Sequence, residues 1–165
     1  MTDTITHSSP FNSALETGLR SVAILAEACP DEFDLQRLLY FDYLVVHSSD
    51  ADGPDSLHPN TPLRNGELLV RRGIIERGLL LFIGRSLVER HARSGGIFYA
   101  ASDSAGPFLE CLQSAYSQTL RDRAAWALDT FGSLDDDELK SYFDARFERW
   151  TREFQAVQQP PELQL

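Results

Sequence analysis

Two histidines and three carboxylates crowd one stretch of this chain: His47, Asp50, Asp52, Asp55 and His58. Imidazole and carboxylate groups this close together are the raw material of a metal site. Their spacing matches no zinc template, and Asp50-Ala51-Asp52-Gly53 lacks the remaining ligands of a calcium-binding EF-hand loop. Short Asp- and His-bearing loops mostly form turns and caps, so no metal is expected here. Asp42 is a second candidate. It interrupts the apolar run Leu38–Val46, where a carboxylate needs a partner, most simply an arginine or a backbone amide. A satisfied buried acid is favoured there over a functional one. Cys29 and Cys111 are isolated thiols without metal spacing, and Cys29 has no basic neighbour in sequence to make it a reactive thiolate. There is no nucleophile elbow, no phosphate loop and no His-Glu-x-x-His, and Gly95-Gly96 is too short to cradle a phosphate. The expectation is a protein that is not an enzyme, with no catalytic residue and no cofactor.

Charge points to binding instead. The formal net charge is -10 over 165 residues, which argues against a general nucleic-acid coat. The charge is unevenly spread, because residues 64–93 hold seven arginines against three acids. Arginine favours planar, bidentate contacts with phosphate or carboxylate. Arg71, Arg72, Arg77, Arg90 and Arg93 are therefore candidate contacts to nucleic acid or to an acidic partner.

The elements that must position these groups are mostly helical. Residues 1–10 are polar and Ser/Thr-rich, an expected flexible tail. Ser13-Ala14-Leu15-Glu16 is a capping box that opens a helix closed by Cys29-Pro30, with Leu15, Leu19, Val22 and Ala26 on one face. Asp31–Asp34 makes a turn with a cap. Leu35 to about Val46 is apolar nearly all round and is expected to be the central, most buried helix. His47–Gly66 holds three prolines and two glycines and is expected to be a long loop. It is expected to pack through Leu57 and Pro59, with His47, Asp50, Leu57, His58, Pro59 and Thr61 as a candidate partner-binding surface.

Glu67–Gly84 follows as one helix, or as two meeting near Gly73. Then come Leu87–Arg90, the turn Arg93-Ser94-Gly95-Gly96 and a return strand Ile97–Ala100. Helix, strand, tight turn, strand is the order of a winged helix with its recognition helix and wing. The predicted fold class is mainly α, with a winged helix-turn-helix-like core over residues 11–103 and a C-terminal helical extension over 104–155. Residues 156–165 form a second expected flexible tail. In the extension, Leu109, Leu112 and Tyr116, and then Leu120, Ala124, Ala127, Leu128 and Phe131, recur at helical spacing up to Gly132. Acids between Ser133 and Glu138 suit a helix start. The last helix carries the stripe Leu139, Phe143, Phe147, Trp150 and Phe154. Phe131, Phe143 and Phe147 are expected inside the subunit, while Trp150 and Phe154 are candidate interface aromatics.

No apolar run approaches the eighteen or more residues of a membrane span, and the N-terminus has no secretory pattern. A reduced, cytoplasmic chain with no membrane partner is the expectation.

Three segments together carry a family resemblance: Phe33-Asp34-Leu35-Gln36-Arg37-Leu38-Leu39-Tyr40-Phe41-Asp42-Tyr43-Leu44, then Gly53-Pro54-Asp55-Ser56-Leu57-His58-Pro59-Asn60-Thr61-Pro62, then Gly66-Glu67-Leu68-Leu69-Val70-Arg71-Arg72. In these the chain resembles the middle component (family 2) of bacterial ABC-three-component systems, from about Phe11 to Phe154. The resemblance implies a non-catalytic adaptor or sensor subunit in an anti-phage and anti-plasmid conflict system. Its partners would be an SMC-like ABC ATPase and an effector-bearing component, with DNA met through the complex and a homodimer as a further assembly. The alternative is a winged-helix transcriptional regulator that binds DNA directly. The overall acidity favours the adaptor.

Overall fold

The computed structural model describes the backbone of residues 13–59 and 64–158, and the side chains there except those of residues 64–67, 69 and 150–158. Six helices and three strands lie in it: α1 (Ala14–Ala28), β1 (Phe33–Asp34), α2 (Leu35–Val46), α3 (Arg64–Ile83), β2 (Val88–Arg93), β3 (Gly96–Ala101), α4 (Ala105–Glu110), α5 (Ala115–Phe131) and α6 (Asp136–Gln158). The strands form one antiparallel sheet in the order β1-β3-β2.

The helix boundaries follow local chemistry. Ser13 caps α1, its hydroxyl accepting from the Glu16 amide, and Asp34 caps α2, its carboxylate accepting from the Arg37 amide at 2.7 Å. Asp135 and Glu138 make a reciprocal capping box at the start of α6, each side chain accepting from the other's amide. Leu38–Val46 of α2 is buried without interruption, as its sequence suggests.

Five features differ from expectation. β1 is a strand of only two residues, paired as Phe33↔Tyr99 and Asp34↔Phe98, too short to leave an alternating pattern in the sequence. The hairpin is longer than predicted, pairing Val88↔Ala101 through Arg93↔Gly96. And α3 is a single helix that begins at Arg64, inside the expected loop, and runs unbroken through Gly73. The repeat from Leu109 to Tyr116 is also interrupted, because Ser114 caps a new helix by accepting from the Ser117 amide. At the other end, α6 extends through Gln158 and overlaps the segment expected to be a tail.

The core lies where α1, α2, α3 and α5 meet, closed on one side by the sheet and on another by α6. Phe143 of α6 stacks on Tyr40 at 4.4 Å and meets Tyr43 edge-on, and Phe147 also meets Tyr43 edge-on. Phe131 and Phe143 are buried and Phe147 is half-buried. The crossing of α1 and α3 is tight. A β-carbon on Gly78 would lie 2.6 Å from the Gly18 nitrogen, and one on Gly18 would lie 2.5 Å from the Phe82 ring. The backbones approach this closely only because neither residue has a side chain. Leu15, expected on the inner face of α1, is exposed instead. Its place in the interior is taken by a polar band containing Thr17, Arg20 and Ser21.

Candidate functional site

That polar band is one half of a buried ion cluster. Arg20 of α1 donates from Nε to Asp42 Oδ1 at 2.7 Å and from Nη2 to Oδ2 at 3.3 Å. Arg71 of α3 donates from Nη1 to Asp42 Oδ2 at 2.6 Å. The three residues are 1%, 0% and 4% exposed. Burial pushes the Asp42 carboxyl up, but the two guanidiniums outweigh it and hold the group below its ordinary value. Arg20 also donates to Thr17 Oγ1 at 3.2 Å and bonds the Tyr116 hydroxyl. That hydroxyl lies 3.0 Å from His58 Nε2. Burial, followed by the nearby charges of Arg20 and Arg71, lowers the His58 pKa to about 4.

Both Asp42 oxygens accept from cations, so the carboxylate is ionised and has little basicity to offer a substrate. Its work is to tie α1, α2 and α3 together, and the sequence-based reading of a satisfied buried acid with an arginine partner holds. The identity of the partners was beyond that reading. Arg20 lies off the face marked by Leu15, Leu19, Val22 and Ala26, and Tyr116 reads in sequence as one more position of a helical repeat.

The same network anchors the loop after α2. His47 and His58 are buried, and His58 donates its amide to the Val46 carbonyl at 3.1 Å. Residues Ser48–Ala51 form a short 3-10 helix. The Ser48 hydroxyl donates to the Pro54 carbonyl, Arg123 of α5 donates to the Asp55 carbonyl at 2.8 Å, and Arg146 of α6 pairs with Asp52. Asp50 accepts from the Tyr43 hydroxyl at 2.9 Å. Gly53 lies flat against Trp126, with no room for a β-carbon. Leu57 packs on the core as expected, whereas Pro59 is exposed. Thr61 lies outside the described residues. Among the described residues no three His, Cys, Asp or Glu side chains are grouped as metal ligands. A partner touching this loop would meet Pro59 and Asp52 rather than the two histidines.

The arginine island divides. Arg71 is inside, committed to Asp42. Arg93 on the hairpin donates from Nε to Glu32 Oε2 at 3.0 Å and pairs through Nη2 with Oε1, while His91 meets the same carboxylate. Those bonds, Arg93 foremost, lower the Glu32 pKa to about 2. Arg72 donates to the Gln36 amide oxygen at 3.4 Å. Only Arg72, Arg77 and Arg90 of the five face solvent without an acidic partner among the described residues.

Around Arg77 the outward face of α3 is apolar. Val70 and Leu80 are each 66% exposed and Leu81 is 37% exposed, with Ile74 half-buried beside them. Gly73 lies in the same stripe, and a β-carbon there would meet only the Arg77 guanidinium, at 3.9 Å. A glycine inside a helix costs about 0.5–1 kcal/mol relative to alanine, and no contact among the described residues calls for this one. On the hairpin, Val88 and Ala101 face the core. Alternation therefore puts Arg90, Ala92 and Ile97 on the same sheet face, carried beyond the core. Sequence does not separate the exposed Val70, Leu80 and Leu81 from the buried Ile75, Leu79 and Phe82, because all six are apolar residues of one helix. The backbone of Trp150 and Phe154 lies in α6, but their side chains are outside the described residues.

The fold defines a mainly helical domain with a small antiparallel sheet, its buried Asp42 carboxylate paired with two arginines and Val70, Leu80 and Leu81 exposed on α3. The family is more specific. The model of the ABC-three component (ABC-3C) system Middle Component 2 matches residues 10–153, and the chain belongs to that family. No curated protein and no solved structure matches it significantly. The chain is thus a component of an ABC-three-component system. Among the described residues, no helix is long and apolar enough to cross a membrane.

Proposed function

We propose that this protein is a non-catalytic adaptor or sensor subunit that bridges the SMC-like ABC ATPase of its system and the effector-bearing component, in a role directed against phage and plasmids. The observation that carries this reading is the outward face of α3. A helix that reads DNA needs cations and hydrogen-bonding side chains toward the groove. Here Val70, Leu80 and Leu81 occupy that face, and Arg71 and Arg93 are held by Asp42 and Glu32. Exposed apolar surface of this kind suits a protein partner.

The experiment is co-expression with the ATPase and effector components, followed by co-purification and a DNA mobility-shift assay on the isolated protein. The adaptor reading expects a stable complex with the ATPase and weak, salt-sensitive DNA binding. With three solvent-facing arginines of the original five, the log–log salt slope should be near -3, at about 0.9 counterions released per phosphate.

The second reading is a winged-helix transcriptional regulator. It draws on the element order α1-β1-α2-α3-β2-β3 and the strand order β1-β3-β2, which suit a winged helix with α3 as recognition helix and β2–β3 as wing. Tight, sequence-specific binding by the isolated protein at physiological salt would select it over the adaptor.

A further inference from the structure

We propose that the outward face of α3 is the docking site for an acidic amphipathic helix of a partner component, an inference that rests on the subunit reading above. Val70, Ile74, Arg77 and Leu81 step along α3 by four, three and four residues, so they form one stripe, and Leu80 widens it. Exposed Val70, Leu80 and Leu81, with Arg77 and half-buried Ile74 between them, span three turns and suit another helix laid along them, as in helix-in-groove recognition. Gly73 sits within the stripe, where a β-carbon would meet only the end of the flexible Arg77 side chain, at 3.9 Å, among the described residues. With no side chain of its own, it leaves a shallow place in the stripe for a partner side chain.

Charge selects the occupant. Arg77 lies in the middle of the stripe and Arg85 follows its C-terminal end. Among the described residues between Val70 and Ile83 of α3, Glu76 is the only acid. A partner helix with an apolar stripe flanked by Asp or Glu would bury the leucines and neutralise the arginines. A phosphate backbone would meet the arginines but leave Val70, Leu80 and Leu81 against charge.

The test uses the full chain and the purified ATPase and effector components of its system. Val70→Glu combined with Leu80→Glu should leave the melting temperature near wild type, because both side chains are exposed, and should weaken partner binding at least tenfold. Arg77→Glu should weaken it several-fold. A photo-crosslinking residue at position 80, read by mass spectrometry, should join to a partner segment with acids flanking an apolar helical stripe. If wild type binds neither component, the subunit reading fails and this inference falls with it. If wild type binds and all variants bind equally well, the docking site is wrong while the subunit reading survives. Cross-linking to a non-acidic segment overturns the occupant. So does a change confined to self-association by light scattering, which would make the occupant a second copy.

Discussion

Arg71 and Arg77 stand on the same helix, less than two turns apart, and their environments are opposite. On the inner face of α3, Arg71 is buried against Asp42, which also holds Arg20. On the outer face, Arg77 is exposed among Val70, Ile74, Leu80 and Leu81. The inner face puts charge where apolar residues are the rule, and the outer face puts apolar residues where charge is the rule. The inner inversion is resolved within the subunit, since each Asp42 oxygen finds a guanidinium. Nothing described in the subunit covers the outer one, which is why it is the better guide to function. The two glycines of α3 repeat the contrast. Gly78 is required by the backbone of α1, whereas at Gly73 a β-carbon would meet only the Arg77 guanidinium among the described residues.

The comparison is broken most forcefully at the inner face. Asp42→Ala leaves two buried guanidiniums without their carboxylate, and removing one partner from such a cluster typically costs about 3–5 kcal/mol. Denaturant unfolding should show a loss of that size. A loss below 1 kcal/mol would mean the cluster is not what ties α1, α2 and α3 together.

Next in size is Gly78→Ala. The new methyl would meet the Gly18 nitrogen and the Ala14 carbonyl, both backbone, so α1 must move as a unit. Overpacking of this kind costs about 1–3 kcal/mol, and thermal melts should place this variant well below wild type.

The cluster should also give stability a pH dependence. His58 has an ordinary pKa of 6.5 and is held to about 4 in the fold, so the folded state favours the neutral ring. Its contribution is complete above pH 6.5 and declines as pH falls from 6.5 toward 4, because the unfolded chain takes up the proton first. The loss across that window should be of order 1–3 kcal/mol. His58→Gln should flatten the slope there, and an unchanged slope would exclude His58 as its source.

The smallest effect sharpens the outer half of the comparison. Gly73→Ala should raise stability by about 0.5–1 kcal/mol, since helix propensity improves and the new methyl meets only the Arg77 guanidinium among the described residues, at 3.9 Å. A loss of stability would reveal an internal contact at this position and remove the contrast with Gly78.

Much of this protein follows from local sequence alone. The caps at Ser13, Asp34 and Asp135, the continuous burial of α2 and the hairpin across Ser94-Gly95 depend on neighbours in the chain, and periodicity and side-chain chemistry report such neighbours directly. So does the need of Asp42 for a cationic partner, because an unpaired carboxylate in an apolar helix is too costly to persist. Which cations answer it was decided only by the tertiary structure. Arg20 and Arg71 lie 22 and 29 residues away on separate helices, and no local pattern records that distance. The same limit hid β1, whose two residues become a strand only because β3 lies beside them. It also governed α3, whose apolar residues read alike in sequence. The packing of α1 against Gly78, and of the core against Ile75 and Leu79, left Val70, Leu80 and Leu81 as the face turned outward.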